Sequence, residues 1–141
     1  MAECEMCGKE FKQRVSHHAT CSKACVQAKA RRLYFTNNPD KAETAHLNTG
    51  NVGAMHELMV CCDLLKRGYE VFRAISQSSL FDVAAFKDGK LIRVEVTTGA
   101  FSTHGKLAHP TKDFSRFDLL AVVTGRGIEY TPPIGEVLGE R

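Results

Sequence analysis

The chain has 141 residues, enough for one ordinary domain or for one domain with a small appendage. Its 43% hydrophobic and 25% charged residues are ordinary for a globular protein, and no apolar run approaches the roughly 18 residues that a membrane span needs. The start Met-Ala-Glu-Cys differs from a secretory signal peptide, so we expect a cytoplasmic protein that does not cross a membrane.

The net charge of +3 is concentrated at one end of the sequence. Residues 1–36 carry seven Lys and Arg against three Glu, a net +4, whereas the rest of the chain carries −1. A short basic segment indicates either a polyanionic partner or a solvated surface, and both interpretations fit the charge equally. The seven basic residues are Lys9, Lys12, Arg14, Lys23, Lys29, Arg31 and Arg32.

Four of the six cysteines form two close pairs inside this basic segment. The spacing is Cys4-x2-Cys7, thirteen intervening residues, and then Cys21-x3-Cys25. Four thiolates complete the tetrahedral shell that zinc prefers and leave no open position, so the ion would be structural. A segment of about 35 residues buries too little surface to fold alone, so zinc would supply the folding energy. Cys61 and Cys62 lie in an apolar stretch, and we interpret both as small buried side chains.

The residues around the two cysteine pairs favour defined local structure. Gly8 would relieve the strain of a tight turn after the first pair, and Ser22 would cap a basic helix over residues 26–34. His17 and His18 offer alternative metal ligands, but four cysteines already complete the shell, so we assign the histidines to a polar loop. The segment resembles the small zinc-ribbon or treble-clef-like modules that are often attached to nucleases.

Residues 36–50 are polar, show little periodicity and contain Pro39, which predicts a linker with a helical turn after the proline. Residues 51–141 are predicted to form one compact block that opens with a helix over residues 52–66. Asn51 or Thr49 would cap this helix, and Gly68 would end it.

The rest of the block is predicted to consist mainly of strands. They are expected at residues 69–75, 80–87, 91–98, 117–124 and 128–130, with a break over the polar residues 99–115. Asp88-Gly89 predicts a hairpin between the second and third strands, and Pro132-Pro133 would stop the last one. One helix, three strands, a break and two further strands predict an α+β domain around a mixed sheet.

Three acidic residues stand in unusual places, and Glu57 is the first. It heads an apolar row of the predicted helix, where a carboxylate is costly unless it has a partner; the alternative is an edge residue that reaches solvent. The polar stripe of the helix is predicted to run instead through His56, Asp63 and Arg67.

Asp82 and Glu95 are the other two. Glu95 lies between Val94 and Val96 in the centre of a strand, whereas Asp82 starts the preceding strand, where a charge can also mark a mere strand border. The Asp88-Gly89 hairpin would place the two carboxylates directly opposite each other. Like charges repel there, and a hard divalent cation such as Mg²⁺ would resolve the conflict.

This order of elements and acids resembles the PD-(D/E)xK nuclease superfamily. Residues 50–57, Gly-Asn-Val-Gly-Ala-Met-His-Glu, followed by Leu-x5-Leu-x-x-Gly68, are similar to the first helix of archaeal Holliday-junction resolvases and intron-encoded homing endonucleases. Residues 117–132 are similar to the later strand pair of those homing endonucleases. The resemblance covers about residues 50–133, and it implies a restriction-endonuclease-like core.

By this resemblance, Asp82 and Glu95 would hold Mg²⁺ or Mn²⁺, with the Val96 carbonyl as a third ligand. Glu57 would assist through a water molecule or a second ion. The ion would neutralise charge on the scissile phosphate and lower the pKa of an attacking water.

The family's lysine, two residues after the glutamate, is replaced by Thr97, which can only donate or accept a hydrogen bond. We keep Thr97 in the predicted catalytic set and expect a lysine from elsewhere, with Lys106 as our choice. Lys112, Lys90 and Arg93 are further candidates. The other interpretation is a degenerate site that binds without cutting.

The leading hypothesis is a Mg²⁺-dependent DNA endonuclease of the homing, resolvase or restriction type, with the seven basic residues on DNA phosphates. Cutting both strands needs two active sites, so we expect a homodimer. The first alternative, favoured by Thr97, is a non-catalytic DNA-binding protein with a degenerate nuclease fold. The second is an RNA-directed or nucleotide-directed nuclease.

Overall fold

This computed structural model describes residues 1–138, which form both helices and strands. The elements in chain order are β1 (Ala2–Glu3), β2 (Glu10–Phe11), α1 (Lys23–Asn37), α2 (Pro39–Glu43), α3 (Thr49–Lys66), β3 (Glu70–Arg73), β4 (Val83–Lys87), β5 (Lys90–Thr98), β6 (Ala100–Phe101), β7 (Leu107–Ala108), β8 (Leu119–Thr124), β9 (Gly127–Thr131) and α4 (Ile134–Leu138).

The central sheet has five strands in the order β3-β4-β5-β8-β9. Strands β5 and β8 are parallel and the other neighbours are antiparallel, so the predicted α+β class with a mixed sheet is confirmed. A parallel pair needs a crossover. Here it passes through a small β6–β7 hairpin, which polar residues 99–115 did not predict.

The β4–β5 hairpin has the predicted register. Val83 lies opposite Val94 and Lys87 opposite Lys90. Asp88 and Gly89 both have positive φ, 51° and 76°, the backbone that a tight two-residue hairpin turn requires. The predicted start of this strand at residue 80 is wrong, because β4 begins at Val83 and the preceding residues form a loop.

Helix α3 begins earlier than predicted. Its N-cap is Asn48, whose side chain accepts a hydrogen bond of 2.8 Å from the backbone N–H of Asn51. Asn51 and Thr49 therefore lie inside the helix rather than capping it. Gly68, with φ 85°, ends α3 as predicted.

Two predictions about side chains on α3 are wrong. Cys61 is buried as predicted, but Cys62 is exposed, because neighbouring residues on a helix point about 100° apart. The helical pattern places His56 on the polar stripe, yet it is 5% exposed and faces the sheet.

The core lies on both faces of the sheet. Helix α3 and the short helix α4 cover one face, and β8 is buried along its whole length because the opposite face is covered as well. On that opposite face, Phe117, Leu120 and Val122 form a smaller cluster with Phe81 and Leu107. Packing on both faces of the sheet holds the middle of β5, which carries Glu95, in a defined position.

The predicted linker is largely helical, since residues 36–50 include the end of α1, all of α2 and the start of α3. Asn38, between α1 and α2, is fully buried. Its side chain donates to the Phe101 carbonyl at 2.7 Å and accepts from the Phe101 N–H at 2.6 Å. The N-terminal helices are thereby joined to β6.

Within residues 1–138, no helix combines the length and the apolar character that a membrane span requires.

Candidate active site and cysteine cluster

A cleft with acidic walls lies between the start of α3, the loop before β4 and the crossover from β7 to β8. It consists of three adjoining cavities of about 350, 420 and 360 Å³, and Asp82 lines all three. Glu57 and Glu95 each line two of them. The structure therefore brings together the three carboxylates that the sequence singled out.

Asp82 stands at the centre of the cleft, and its carboxylate is held in place from β5. Its Oδ2 accepts a 2.8 Å hydrogen bond from the backbone N–H of Val96. Burial raises the pKa of Asp82, and the negative charges of Glu95 and Glu57 raise it further, whereas the Val96 N–H and the Lys112 charge act in the opposite direction. The cleft thus places two further carboxylates near a group that water reaches only in part, and both effects disfavour the charged form of Asp82.

Glu57 has the partner that its position on the helix demanded. Arg73 on β3 donates from Nε to Glu57 Oε2 at 2.8 Å, and its Nη2 lies 2.7 Å from the same oxygen. The sequence missed this pair because the contact forms only once β3 packs beside α3.

Lys112 is the lysine that reaches the acidic cleft. Its Nζ donates to Glu95 Oε1 at 2.8 Å, and the two side chains are 27% and 17% exposed. Lys106, our choice from the sequence, lies on the β6–β7 hairpin, where its N–H donates to Ser102 Oγ at 3.1 Å. It does not line the three cavities, whereas Thr97 and Val96 line one of them.

The other two candidate cations point elsewhere. Arg93 holds the carboxylate of Asp118, with Nε 3.1 Å from Oδ2 and Nη2 2.9 Å from Oδ1. Lys90 lies at the hairpin end of β5, five residues from Glu95, which is roughly 16 Å along an extended strand.

His56 is a buried group of the cleft that the sequence did not identify. Its Nδ1 is 2.7 Å from Thr98 Oγ1, and the ring lines the same cavity as the carboxylates. Burial lowers the pKa of His56 and the charge of Lys41 lowers it further, although Asp40 opposes them. The cleft wall therefore presents a neutral imidazole at neutral pH.

The four N-terminal cysteines form the predicted cluster. Their sulfur atoms all lie within 4.8 Å of one another, with Cys7 Sγ 3.5 Å and Cys25 Sγ 3.7 Å from Cys21 Sγ. Gly8 has a φ of 69°, and Ser22 Oγ accepts from the Cys25 N–H at 3.2 Å as the N-cap of α1, so both local predictions are confirmed.

The thiols of this cluster are electrostatically suited to a cation. Burial raises the pKa of the Cys4 thiol, but the backbone N–H groups of Cys21, Met6 and Cys7 outweigh it and lower the value to about 6. The neighbouring sulfurs of Cys7 and Cys4 raise the pKa of Cys21. The cluster thus holds one readily formed thiolate and a second that needs a cation beside it, a donor set that fits a soft or borderline metal ion.

Of the seven basic residues predicted to contact DNA phosphates, six are exposed and Lys29 is half-buried. The Nζ of Lys29 lies 2.6 Å from Glu5 Oε2. Arg31 lies over the ring of Phe35, 5.7 Å from its centroid. Four of the seven lie on α1, which has no buried residue and presents its length to solvent.

Comparison with known proteins assigns the segment that contains the cleft. A family model described as PD-(D/E)XK endonuclease matches residues 47–116. This segment belongs to that family. The PD-(D/E)XK segment includes α3, the β4–β5 hairpin with Asp82 and Glu95, and the loop that carries Lys112.

Among solved structures, the protein is similar to a bacterial homing endonuclease, I-Ssp6803I, with 17% sequence identity and a TM-score of 0.45. The similarity covers 53% of this chain and 61% of that one, so the chain spans about three-fifths of the length of its structural relative. A search of curated proteins found no match to the sequence.

Proposed function

We propose that the protein is a divalent-metal-dependent endonuclease that hydrolyses phosphodiester bonds in DNA. The observation that carries the proposal is the convergence of Asp82, Glu95 and Lys112 in one cleft of the PD-(D/E)XK segment. Two carboxylates and a cation are the groups that phosphodiester hydrolysis needs to bind an ion and to offset charge on the phosphate.

The donor set of the cleft fits Mg²⁺ or Mn²⁺. Asp82 and Glu95 offer hard oxygen ligands. The pKa of Asp82 is raised first by burial and then by the negative charges of Glu95 and Glu57, and a bound cation would offset those charges. We assign the Val96 carbonyl as a further ligand because Val96 lines the same cavity. The ion, when bound, would supply Lewis acidity that neutralises the phosphate and activates water.

The protein's own side chains then orient the substrate. Arg73 holds Glu57 against the cleft, which leaves the second carboxylate oxygen of Glu57 available to a water molecule. Thr97 is 7% exposed and can donate or accept one hydrogen bond at the cavity wall. His56, neutral and held by Thr98, adds a polar edge without a second positive charge.

We assign the cysteine cluster to structural Zn²⁺, with Cys4, Cys7, Cys21 and Cys25 as the ligands. The basic residues of this module, most of them on the exposed helix α1, would contact DNA phosphates and add affinity without reading sequence. An enzyme of the homing, resolvase or restriction type that cuts both strands needs two clefts, so we propose a homodimer.

Supercoiled plasmid and branched DNA, each incubated with the protein and Mg²⁺ or Mn²⁺, test the proposal. We expect metal-dependent nicking that Glu95→Gln reduces by about 10²-fold or more, because the variant removes a ligand charge and keeps the side-chain volume. Glu129→Ala, which changes an acid on β9 away from the cleft, is the matched control and should retain the wild-type rate. Wild-type nicking activity no greater than that of Glu95→Gln would refute the proposed endonuclease activity.

One observation favours a second candidate, a non-catalytic DNA-binding protein. Thr97 occupies the position where the family carries a lysine. This candidate predicts DNA binding that survives Glu95→Gln, together with no metal-dependent nicking by the wild-type protein.

A further inference from the structure

The ammonium group of Lys112 reaches the acidic cleft from a loop rather than from β5. Among the residues that the structure describes, Lys112 is the one Lys or Arg that lines the cavity shared by all three carboxylates. Arg73 lines the second cavity and is committed to Glu57. Arg116 lines the third cavity, where its Nε lies 3.7 Å from Asp113 Oδ2.

The loop that carries Lys112 is constrained on both sides of that residue. Pro110, two residues earlier, lines the cavity and has a fixed φ. On the other side, Asp113 Oδ1 accepts from the Ser115 N–H at 3.0 Å and closes a local turn. Phe117 then packs into the core 4.8 Å from the ring of Phe114. An anchored loop can hold an ammonium group in a repeatable position, which charge stabilisation requires.

We infer that Lys112 takes the role of the lysine missing at position 97, and that it competes with the divalent cation for Glu95. The inference rests on the proposed function for its catalytic half. The ammonium group contacts Glu95 Oε1, one of the oxygens that the proposed function assigns to the ion. A divalent ion that takes this oxygen would displace a like charge, so the ammonium group turns to the phosphate that arrives with the substrate.

Competition predicts opposite effects of one substitution on two measurements. Lys112→Met keeps the aliphatic stem and removes the charge. We expect Mn²⁺ to bind this variant roughly five- to tenfold more tightly, because an ammonium beside the ion no longer repels it. Single-turnover nicking in saturating Mg²⁺ should fall by roughly 10²- to 10³-fold, the usual cost of losing one charge-stabilising group. A merely structural role for Lys112 would weaken both.

Mn²⁺ binding is measured without DNA, from the electron paramagnetic resonance signal of free Mn²⁺. Lys112→Arg keeps the charge and should bind Mn²⁺ close to the wild-type affinity. Lys66→Met, at the end of α3, is the control for charge removal away from the cleft. Lys106→Met tests the alternative catalytic lysine. The melting temperature of each variant reports whether it is folded.

Unchanged or weaker Mn²⁺ binding by Lys112→Met would overturn the competition. An active wild-type enzyme whose nicking depends on Lys106 and not on Lys112 would overturn the catalytic half. A wild-type protein that cuts no DNA would refute the proposed function instead, while the Mn²⁺ measurement would still decide whether Lys112 competes for Glu95.

Discussion

A half-buried carboxylate that faces two others is costly in its charged form, and Asp82 is such a group. Its pKa is raised by burial and by Glu95 and Glu57. A folded-state pKa above the unfolded value contributes stability that is present at low pH and diminishes as the pH rises through the folded pKa. At neutral pH without metal, the charged Asp82 therefore lowers the free energy of unfolding.

Asp82→Asn should accordingly raise the melting temperature of the metal-free protein at pH 7, since the amide keeps an acceptor for the Val96 N–H and removes the charge. This gain in melting temperature should shrink as the pH falls, because Asp82 of the wild type then becomes protonated and loses its charge. Mg²⁺ should stabilise the wild type and leave Asp82→Asn unchanged. Thermal melts between about pH 4 and pH 8, with and without the ion, measure both effects.

Asp118 is the matched comparison because its shift has the opposite sign. The hydrogen bonds from the Arg93 side chain lower the pKa of Asp118. That contribution is present above the unfolded pKa and diminishes as the pH falls through the folded pKa. Asp118→Asn should therefore lower the melting temperature at pH 7, and equal signs for the two substitutions would contradict this account.

At the residue scale, positions fixed by neighbouring residues could be predicted from the sequence, whereas contacts that depend on packing could not. Asp82 and Glu95 followed from the sequence because a two-residue turn fixes the register of the strands on either side. Arg73 and Lys112 could not be placed, because their contacts with Glu57 and Glu95 bridge 16 and 17 residues and depend on how separate elements pack.

At the scale of elements, the cysteine cluster fixes a region that has little apolar packing. Strands β1 and β2 have two residues each, and α1 has no buried side chain. Close sulfur atoms replace a hydrophobic core here, so we expect a bound metal to supply the stability of this module.

We expect one zinc per chain by elemental analysis. Cys21→Ser should release the metal and expose residues 8–20 to limited proteolysis, because removal of one ligand opens the shell. Cys62→Ser, which alters an exposed cysteine on α3, should retain both the metal and the protection. A zinc content far below one per chain in the wild type would contradict the assignment.

Asn38 joins the N-terminal helices to the crossover hairpin, and its removal should be severe. Asn38→Ala leaves the buried N–H and C=O of Phe101 without partners, which we expect to cost about 2–4 kcal/mol in the free energy of unfolding. Asn37→Ala removes a single hydrogen bond, 3.0 Å to the Ser102 carbonyl, and should cost about 1 kcal/mol. Urea denaturation of both variants measures the difference.

Asn38 also explains why the sequence of residues 36–50 predicts a linker where the structure has helices. Helix α1 presents no apolar stripe, so periodicity gives no sign that it extends to Asn37. The contact that docks this region lies 63 residues away in sequence, and a polar side chain makes it. A window of neighbouring residues contains neither piece of information.

At the scale of the whole molecule, the basic residues and the acidic cleft are separated along the chain. The excess positive charge lies in residues 1–36, whereas the acidic cleft lies in the PD-(D/E)XK segment. If the basic segment binds phosphates as proposed, it should contribute affinity that depends on salt and little on the bases.

Substitution of Arg31 and Arg32 by Gln should weaken DNA binding and reduce the slope of log affinity against log salt by about one for each phosphate that the variant no longer neutralises. Glu95→Gln should leave that slope unchanged. Fluorescence anisotropy over a range of about 50 to 200 mM salt measures both slopes. An unchanged slope in the arginine variant would place the phosphate-binding residues elsewhere.

The parallel pairing of β5 with β8 leads us to expect that the cleft assembles in two steps. Asp82 and Glu95 belong to one hairpin, whose short loop closes at little entropic cost. Lys112 reaches Glu95 from the crossover, and its loop is fixed only when β8 has docked beside β5. In refolding experiments, we therefore expect the carboxylate pair to form early and the ammonium group to arrive with the slower, long-range step.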